Sequence, residues 1–291
     1  MKTLQLYRKV LVACGEEPSG LHALKEIIKY VKNNSRRLIA LSVVPFHDGD
    51  LHLWVFKDIE KEFKKPFEAV LHKVREISEK EEIIVKTILD EGEPFSLIID
   101  TALTHNCDLI VLGRRKNLEL MRKILGANVT RVIGYSPVDV LVIPDGSSLS
   151  FKKILVPLDG SVYSEAAFKK ACKIAKALSS TLYLLSIIDL PVEISVQHTN
   201  LTESFYNNAK NILDRAKNIA KNLGIEAKVY IKEGDSGEKI LSFIKEKNIE
   251  IVIMGSHGKT GLKRLLMGSV AEKVLTFTPV PVLVSKDLEL L

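Results

Sequence analysis

Three glycines and a serine in the second half of the chain have the types and spacing of a phosphate-binding loop. Gly255 and Gly258 lie three positions apart, nine residues separate Gly258 from Gly268, and Ser269 follows directly. Glycines let a phosphate approach the backbone without a Cβ atom in the way, and the unpaired N–H groups at a helix start attract anions. The pattern therefore predicts a site for phosphate groups.

The residues on either side of this loop predict the elements that position it. Residues 251–253 form an apolar, β-branched run, which is typical of a strand buried on both faces in a parallel sheet. From Val270 onward apolar residues recur at helical spacing, so a helix begins near Gly268 and Ser269. Ser269 is also a natural N-cap residue, and that role would explain it without any ligand.

Composition narrows the class of protein. The 291 residues, 46% hydrophobic and 27% charged, are typical of a globular protein with room for two domains. No apolar run is long enough to span a bilayer and the start has no secretory pattern, so we expect a cytoplasmic protein without a membrane partner. The net charge is +6, but the cations alternate with acids along predicted helices, so no nucleic-acid partner is expected.

The cysteines give no sign of a disulfide framework or a metal site. Cys14, Cys107 and Cys172 are isolated in the chain and form no C-x-x-C pair. Cys14 and Cys172 are interpreted as small buried hydrophobic residues, and no metal ligands are predicted.

Four landmarks recur in the same order in the two halves of the chain, which indicates a duplication. The equivalent pairs are residues 10–12 and 154–156, Gly92 and Gly234, Gly113 and Gly255, and Pro137 and Pro279. Each half alternates strands with helices, which predicts an α/β fold with two tandem domains, residues 1–147 and 148–291. Each domain is expected to be a five-stranded parallel sheet with helices on both faces.

The two copies differ in the residues that could do chemistry. The equivalent residues are Asp159 and Gly15, Gly258 and Lys116, and Ser269 and Ala127. The first copy therefore lacks the acid after its first strand and carries a bulky cation in place of the second glycine. We predict that the second copy binds a nucleotide and that the site of the first copy is degenerate. Asp159 alone could instead form only a turn at a helix start.

The segment GSHGKTGLKRLLMGS, set between a strand and a helix, resembles the nucleotide-binding signature of the universal stress protein family. With the duplication, the whole chain is similar to a tandem member of that family. The resemblance implies Rossmann-like domains of the adenine nucleotide alpha hydrolase-like type, with one ATP or another adenine nucleotide in the second. Pro157 and Asp159 would contact the adenosine, and Ile187, after strand two, would flank the adenine. The residues implied at the ribose and phosphates are Gly255, His257, Gly258, Gly268, Ser269 and Val270.

The resemblance implies an ATP-binding protein that acts as a nucleotide-dependent regulator or in the stress response, with an unknown protein partner. Slow ATP hydrolysis with Mg²⁺ or Mn²⁺ is a second interpretation, and a nucleotide-free interaction scaffold is a third. No catalytic residue is predicted, because Asp159 is the only obvious acid for the site. The resemblance also implies that the last strands of the two copies pair as an intrachain pseudo-dimer. A further homodimer is left open.

Overall fold

A computed structural model describes residues 7–31, 38–45, 57–115, 125–189, 199–258 and 267–286. The chain folds into two compact domains that divide between Gly146 and Ser147. The limits 1–147 and 148–291, with an intact site assigned to the second domain only, stay predictions.

Both domains alternate strands with helices, as the sequence predicts. The elements of the first domain are β1 (Val10–Ala13), α1 (Pro18–Val31), β2 (Leu38–Val44), α2 (Lys57–Lys80), β3 (Val85–Glu91), α3 (Pro94–Thr104), β4 (Leu109–Arg114), α4 (Ala127–Tyr135) and β5 (Asp139–Pro144). The elements of the second domain are β6 (Lys153–Pro157), α5 (Val162–Leu178), β7 (Thr181–Ile188), α6 (Thr199–Asn222), β8 (Ala227–Glu233), α7 (Ser236–Lys247), β9 (Ile251–Gly255), α8 (Ser269–Phe277) and β10 (Val282–Ser285).

Each domain contains a parallel sheet of five strands. The strand order is β3-β2-β1-β4-β5 in the first domain and β8-β7-β6-β9-β10 in the second. The chain winds from β6 to β8 on one side and places β9 and β10 on the other, so the direction of winding reverses between β6 and β9. Ligands of open α/β sheets bind beyond the carboxyl ends of the strands at such a switch point. The loops after β6 and β9 are therefore the first place to look for a site.

The central strands are buried on both faces because helices cover both sides of each sheet. Residues 10–12 of β1, 154–156 of β6 and 251–253 of β9 are all fully buried. A strand covered on both faces needs successive apolar residues rather than alternating ones. The prediction of a doubly buried strand ahead of the glycine loop is confirmed.

A carboxylate fixes the start of the first strand in each domain. Asp108 accepts hydrogen bonds from two successive backbone N–H groups just before β1, at 2.8 and 3.0 Å. Glu250 accepts from the two equivalent N–H groups at the start of β6, at 3.0 and 3.1 Å, and from the hydroxyl of Ser150 at 2.6 Å. In both copies a carboxylate thus accepts hydrogen bonds from the start of the first strand, from an aspartate in one and a glutamate in the other.

The three cysteines are buried free thiols, which agrees with their interpretation as small hydrophobic residues. Burial raises the pKa of Cys14 and of Cys172 to about 12. It also raises the pKa of Cys107, to about 11. Within the described ranges, no helix combines the length and the apolar character needed to cross a bilayer.

Candidate functional site

Asp159 lies in the loop between β6 and α5, and the start of that helix holds its carboxylate. Oδ1 of Asp159 accepts hydrogen bonds from the N–H of Ser161 at 2.9 Å and from its hydroxyl at 2.6 Å. Ser161 is the N-cap residue of α5 and accepts a bond from the N–H of Ser164 at 3.2 Å. Gly160 has a φ of 80°, a conformation that favours glycine. Asp159 therefore does form the turn that the sequence offered as an alternative, and the turn fixes its side chain.

The second oxygen of this carboxylate lies beside the glycine loop. A Cβ atom at Gly258 would be only 2.9 Å from Oδ2 of Asp159. The loops after β6 and β9 thus meet at the switch point of the sheet. The acid and the glycine that distinguish the second copy from the first are neighbours in space.

The helix after the glycine loop begins one residue earlier than the capping role of Ser269 requires. Gly268 is the N-cap residue of α8, and Ser269 already belongs to the first helical turn, so the N-cap expectation for Ser269 is wrong. The N–H of Gly268 donates to the carbonyl oxygen of Ser256 at 2.9 Å, which ties α8 to the end of β9. Because glycine has no side chain to cap the helix, the first N–H groups of α8 suit an external anion.

His257 is positioned by Ser256 and Tyr163. Its Nδ1 atom lies 3.0 Å from the buried hydroxyl of Ser256. Its ring centroid is 5.3 Å from that of Tyr163, at an interplanar angle of 41°. These two contacts fix the position of the His257 ring at the end of β9. The contacts of His257 with Ser256 and Tyr163 were not predicted from the sequence. The one available signal was that Tyr163 lies in the helix that follows Asp159.

Position 255 needs a glycine for a structural reason that is independent of any ligand. A Cβ atom there would lie 2.6 Å from Cβ of Tyr163 and 2.8 Å from its carbonyl carbon. The equivalent Gly113 meets the backbone of Ser19 even more closely, with 2.1 Å to its carbonyl oxygen. Both glycines let the first helix of their domain pack against the end of a strand. This explains why the first copy also has a glycine, Gly113, at this position, and a nucleotide contact for Gly255 stays a prediction.

The other predicted residues, Pro157, Ile187 and Val270, border the same edge of the sheet and are partly exposed. Pro157 is the last residue of β6, and Val270 lies in the first turn of α8. Ile187 lies inside β7 and pairs in register with Lys232, rather than following the strand as expected, because β7 continues to Ile188. Their contacts with a ligand are untested.

The equivalent edge of the first domain carries an ion pair. Arg115, after β4, contacts the carboxylate of Glu17, after β1. Gly15 stands at the position of Asp159, and no atom lies within 4 Å of a Cβ built there. The first domain therefore places a charged pair where the second places Asp159 and the glycine loop. Lys116 lies outside the described residues.

The described part of the site offers neither a metal-binding cluster nor the cations of the glycine loop. Among the residues that the structure describes, no three His, Cys, Asp or Glu side chains group as a metal site. The cations Lys259, Lys263 and Arg264 belong to residues 259–266, which lie outside the described part.

The sequence model of the universal stress protein family matches residues 6–144 and again residues 150–286. The chain belongs to the universal stress protein family. Because the family domain is matched twice, it is a tandem universal stress protein.

Single-domain relatives agree with this assignment. A universal stress protein of Methanocaldococcus jannaschii is 35% identical over 151 residues, which are 50% of this chain and 87% of that protein. The universal stress protein YxiE of Bacillus subtilis is 33% identical over 148 residues, which are 46% of this chain and 98% of YxiE. This tandem universal stress protein is thus about two such proteins long.

A solved structure shows the same fold over the whole chain. A universal stress protein from Archaeoglobus fulgidus superposes with a TM-score of 0.73, covering 97% of this chain and 98% of that one at 22% identity. The predicted fold of this tandem universal stress protein is confirmed: two Rossmann-like α/β domains with parallel sheets.

Proposed function

We propose that the second domain binds one ATP, or another adenine nucleotide, at the switch point between β6 and β9. The contact of Asp159 with Gly258 carries the proposal. It joins the acid and the glycine that the first domain lacks, at the edge of the sheet where α/β proteins bind ligands. The protein would act as a nucleotide-dependent regulatory or stress-response protein.

The parts of the site fit the parts of a nucleotide. The first turn of α8 follows a glycine N-cap, and its N–H groups and partial positive charge suit phosphate oxygens. His257 lies beside the same loop, and an imidazole ring can form hydrogen bonds with phosphate oxygens. On the other side, the Asp159 carboxylate suits the hydroxyl or amino groups of an adenosine, since an ionised carboxylate only accepts hydrogen bonds.

Ion binding would come through the nucleotide. Phosphate oxygens bind Mg²⁺ and Mn²⁺, so either ion would enter the site together with the triphosphate. A regulator is favoured over a fast hydrolase because Asp159 is the only acid suggested for the site from the sequence, and its proposed role is to accept hydrogen bonds from the adenosine. A general base must instead accept a proton from an attacking water.

The test is isothermal titration calorimetry of the full chain with ATP and Mg²⁺. We expect one ATP per chain and a loss of at least tenfold in affinity for Asp159→Gly and for Gly258→Lys. These two substitutions give the second domain the residues of the first. Gly15→Ala is the matched control in the first domain, where a Cβ has room. It should leave the affinity unchanged.

Two results would contradict the proposal. Absence of binding by ATP, ADP and AMP would remove the nucleotide from the function. Two equivalent nucleotides per chain would mean that the first domain is not degenerate. Phosphate release measured on the same samples would separate a regulator from a hydrolase.

A further inference from the structure

A cavity of about 610 Å³ lies between α5 and α6 in the second domain, and Leu158 and Gly160 on either side of Asp159 belong to its lining. Its floor and walls include the apolar side chains of Leu158, Phe168, Cys172, Ala216, Ile219 and Leu223. The first four are buried, whereas Ile219 on α6 and Leu223, directly after α6, are 44% and 41% exposed. The cavity is therefore a groove with an apolar floor and an accessible apolar wall.

Two small side chains open this groove. Both α2 and α6 begin and end 142 positions apart, and α1 and α5 begin 144 positions apart, so Ile28 corresponds to Cys172 and Val74 to Ala216. Ile28 and Val74 are 2% and 0% exposed, and their side chains are larger than those of Cys172 and Ala216. Protein interiors are close-packed, so side-chain volume decides how much space remains between two helices. Side chains of the size found in the first domain would therefore narrow the groove of the second domain.

Cations line the rim of the groove. Lys169, Lys173 and Lys176 recur at helical spacing along α5, and Arg215 stands opposite on α6. Glu165 is the one acid in this lining, and it contacts Arg215. Since the thiol of Cys172 has its pKa raised to about 12 by burial, it stays neutral and adds an apolar surface. The groove therefore combines an apolar floor with a positively charged rim.

We propose that this groove binds an anionic amphiphile with one acyl chain, whose carboxylate or phosphate head lies against the lysines of α5. Small-molecule sites have volumes of about 300–1,000 Å³ and mostly apolar walls with a few polar groups. The apolar floor matches a single acyl chain, and the cations along one side match an anionic head group. The proposal does not depend on nucleotide binding.

The test is a calorimetric titration of the full chain with palmitate below its critical micelle concentration. We expect saturable binding of one palmitate per chain. The double variant Cys172→Ile with Ala216→Val, which carries the residues of the first domain, should bind at least tenfold more weakly. Ala177→Val, on an exposed part of α5 outside the groove, is the matched control and should bind as the parent does. Thermal unfolding of each variant verifies that it is folded.

The head group is tested with separate ligands and variants, which do not require the filled variant, Cys172→Ile with Ala216→Val, to fold. Palmitate and palmitoyl lysophosphatidate should both bind, and the tighter of the two identifies a carboxylate or a phosphate head. Lys173→Glu with Lys176→Glu should weaken both at least fivefold, whereas Lys210→Glu with Lys221→Glu, on α6 outside the lining, should not. Equal affinity for neutral monopalmitoylglycerol, no saturable binding, or binding that the filled variant retains would each overturn the proposal.

Discussion

Oδ2 of Asp159 lies 2.9 Å from the position that a Cβ atom at Gly258 would take. Oδ1 of the same carboxylate is held by the N–H and the hydroxyl of Ser161, so the side chain cannot turn away without losing two hydrogen bonds. The close approach of the two loops therefore requires a glycine at position 258. The relationship exists only in the second domain and leads to the first prediction.

Gly258→Ala should weaken ATP binding about tenfold, because the added methyl group displaces the carboxylate that Ser161 holds. Asp159→Asn should weaken it as well. Residues in contact are not additive, so the double variant should differ from the sum of the two by about 0.5 kcal/mol or more. Calorimetric titrations of the four proteins measure this coupling, and additive effects would show that the two residues act separately.

Gly255→Ala and Gly113→Ala should both destabilise their domains, by at least about 1–3 kcal/mol, because the new methyl group overlaps the backbone of a packed helix. Urea unfolding followed by circular dichroism measures the loss. Gly15→Ala, with no atom within 4 Å of the new Cβ, serves as the control. If Gly255→Ala were as stable as the parent and lost only ATP affinity, the glycine would serve the ligand alone.

Glu250→Ala should lower the free energy of unfolding of the second domain by about 1–3 kcal/mol, because charge-assisted hydrogen bonds to two N–H groups and a hydroxyl are lost. Asp108→Ala should do the same in the first domain. Glu246→Ala is the control, since Glu246 only pairs with surface lysines and such pairs contribute little. Equal stabilities of all three variants in urea would refute the role of the carboxylates.

Acid should weaken the start of α7. The N–H of Glu238 and the ammonium group of Lys273 hold the pKa of Asp235 below its ordinary value of 3.8. Because the folded state lowers this pKa, the stabilisation is present above the ordinary value and is lost as the pH falls through the folded-state pKa. Asp235→Asn should therefore flatten the acid side of a stability profile between pH 6 and pH 2. A parallel slope in both proteins would contradict this assignment.

Local sequence signals predicted most of the elements. The strand predicted at residues 251–253 lies in β9 (Ile251–Gly255), and the helix predicted to begin near Gly268 and Ser269 is α8 (Ser269–Phe277). Apolar runs and N-cap residues such as Asp235 act through neighbouring residues, so they can be read along the chain. The N-cap of α8 was misplaced by one residue because glycine and serine are both acceptable there.

Contacts between distant segments of the chain could not be predicted from such local signals. The ring of Tyr163, in the first turn of α5, lies beside His257, which follows β9 and is far away in the chain. No local pattern in either segment predicts this contact. The groove between α5 and α6 is a similar case. It appears only when Cys172 and Ala216 face each other across packed helices.

The duplication, the alternation of strands and helices, the family and the difference between the two copies could all be predicted from the order of the amino acids. These depend on periodicity and residue spacing, which are local properties of the chain. Three facts are visible only in the folded domain: why position 255 needs a glycine, which oxygen of Asp159 faces Gly258, and where a cavity lies. Each of these depends on which side chain from another element comes within contact distance, and only packing of the complete domain sets that.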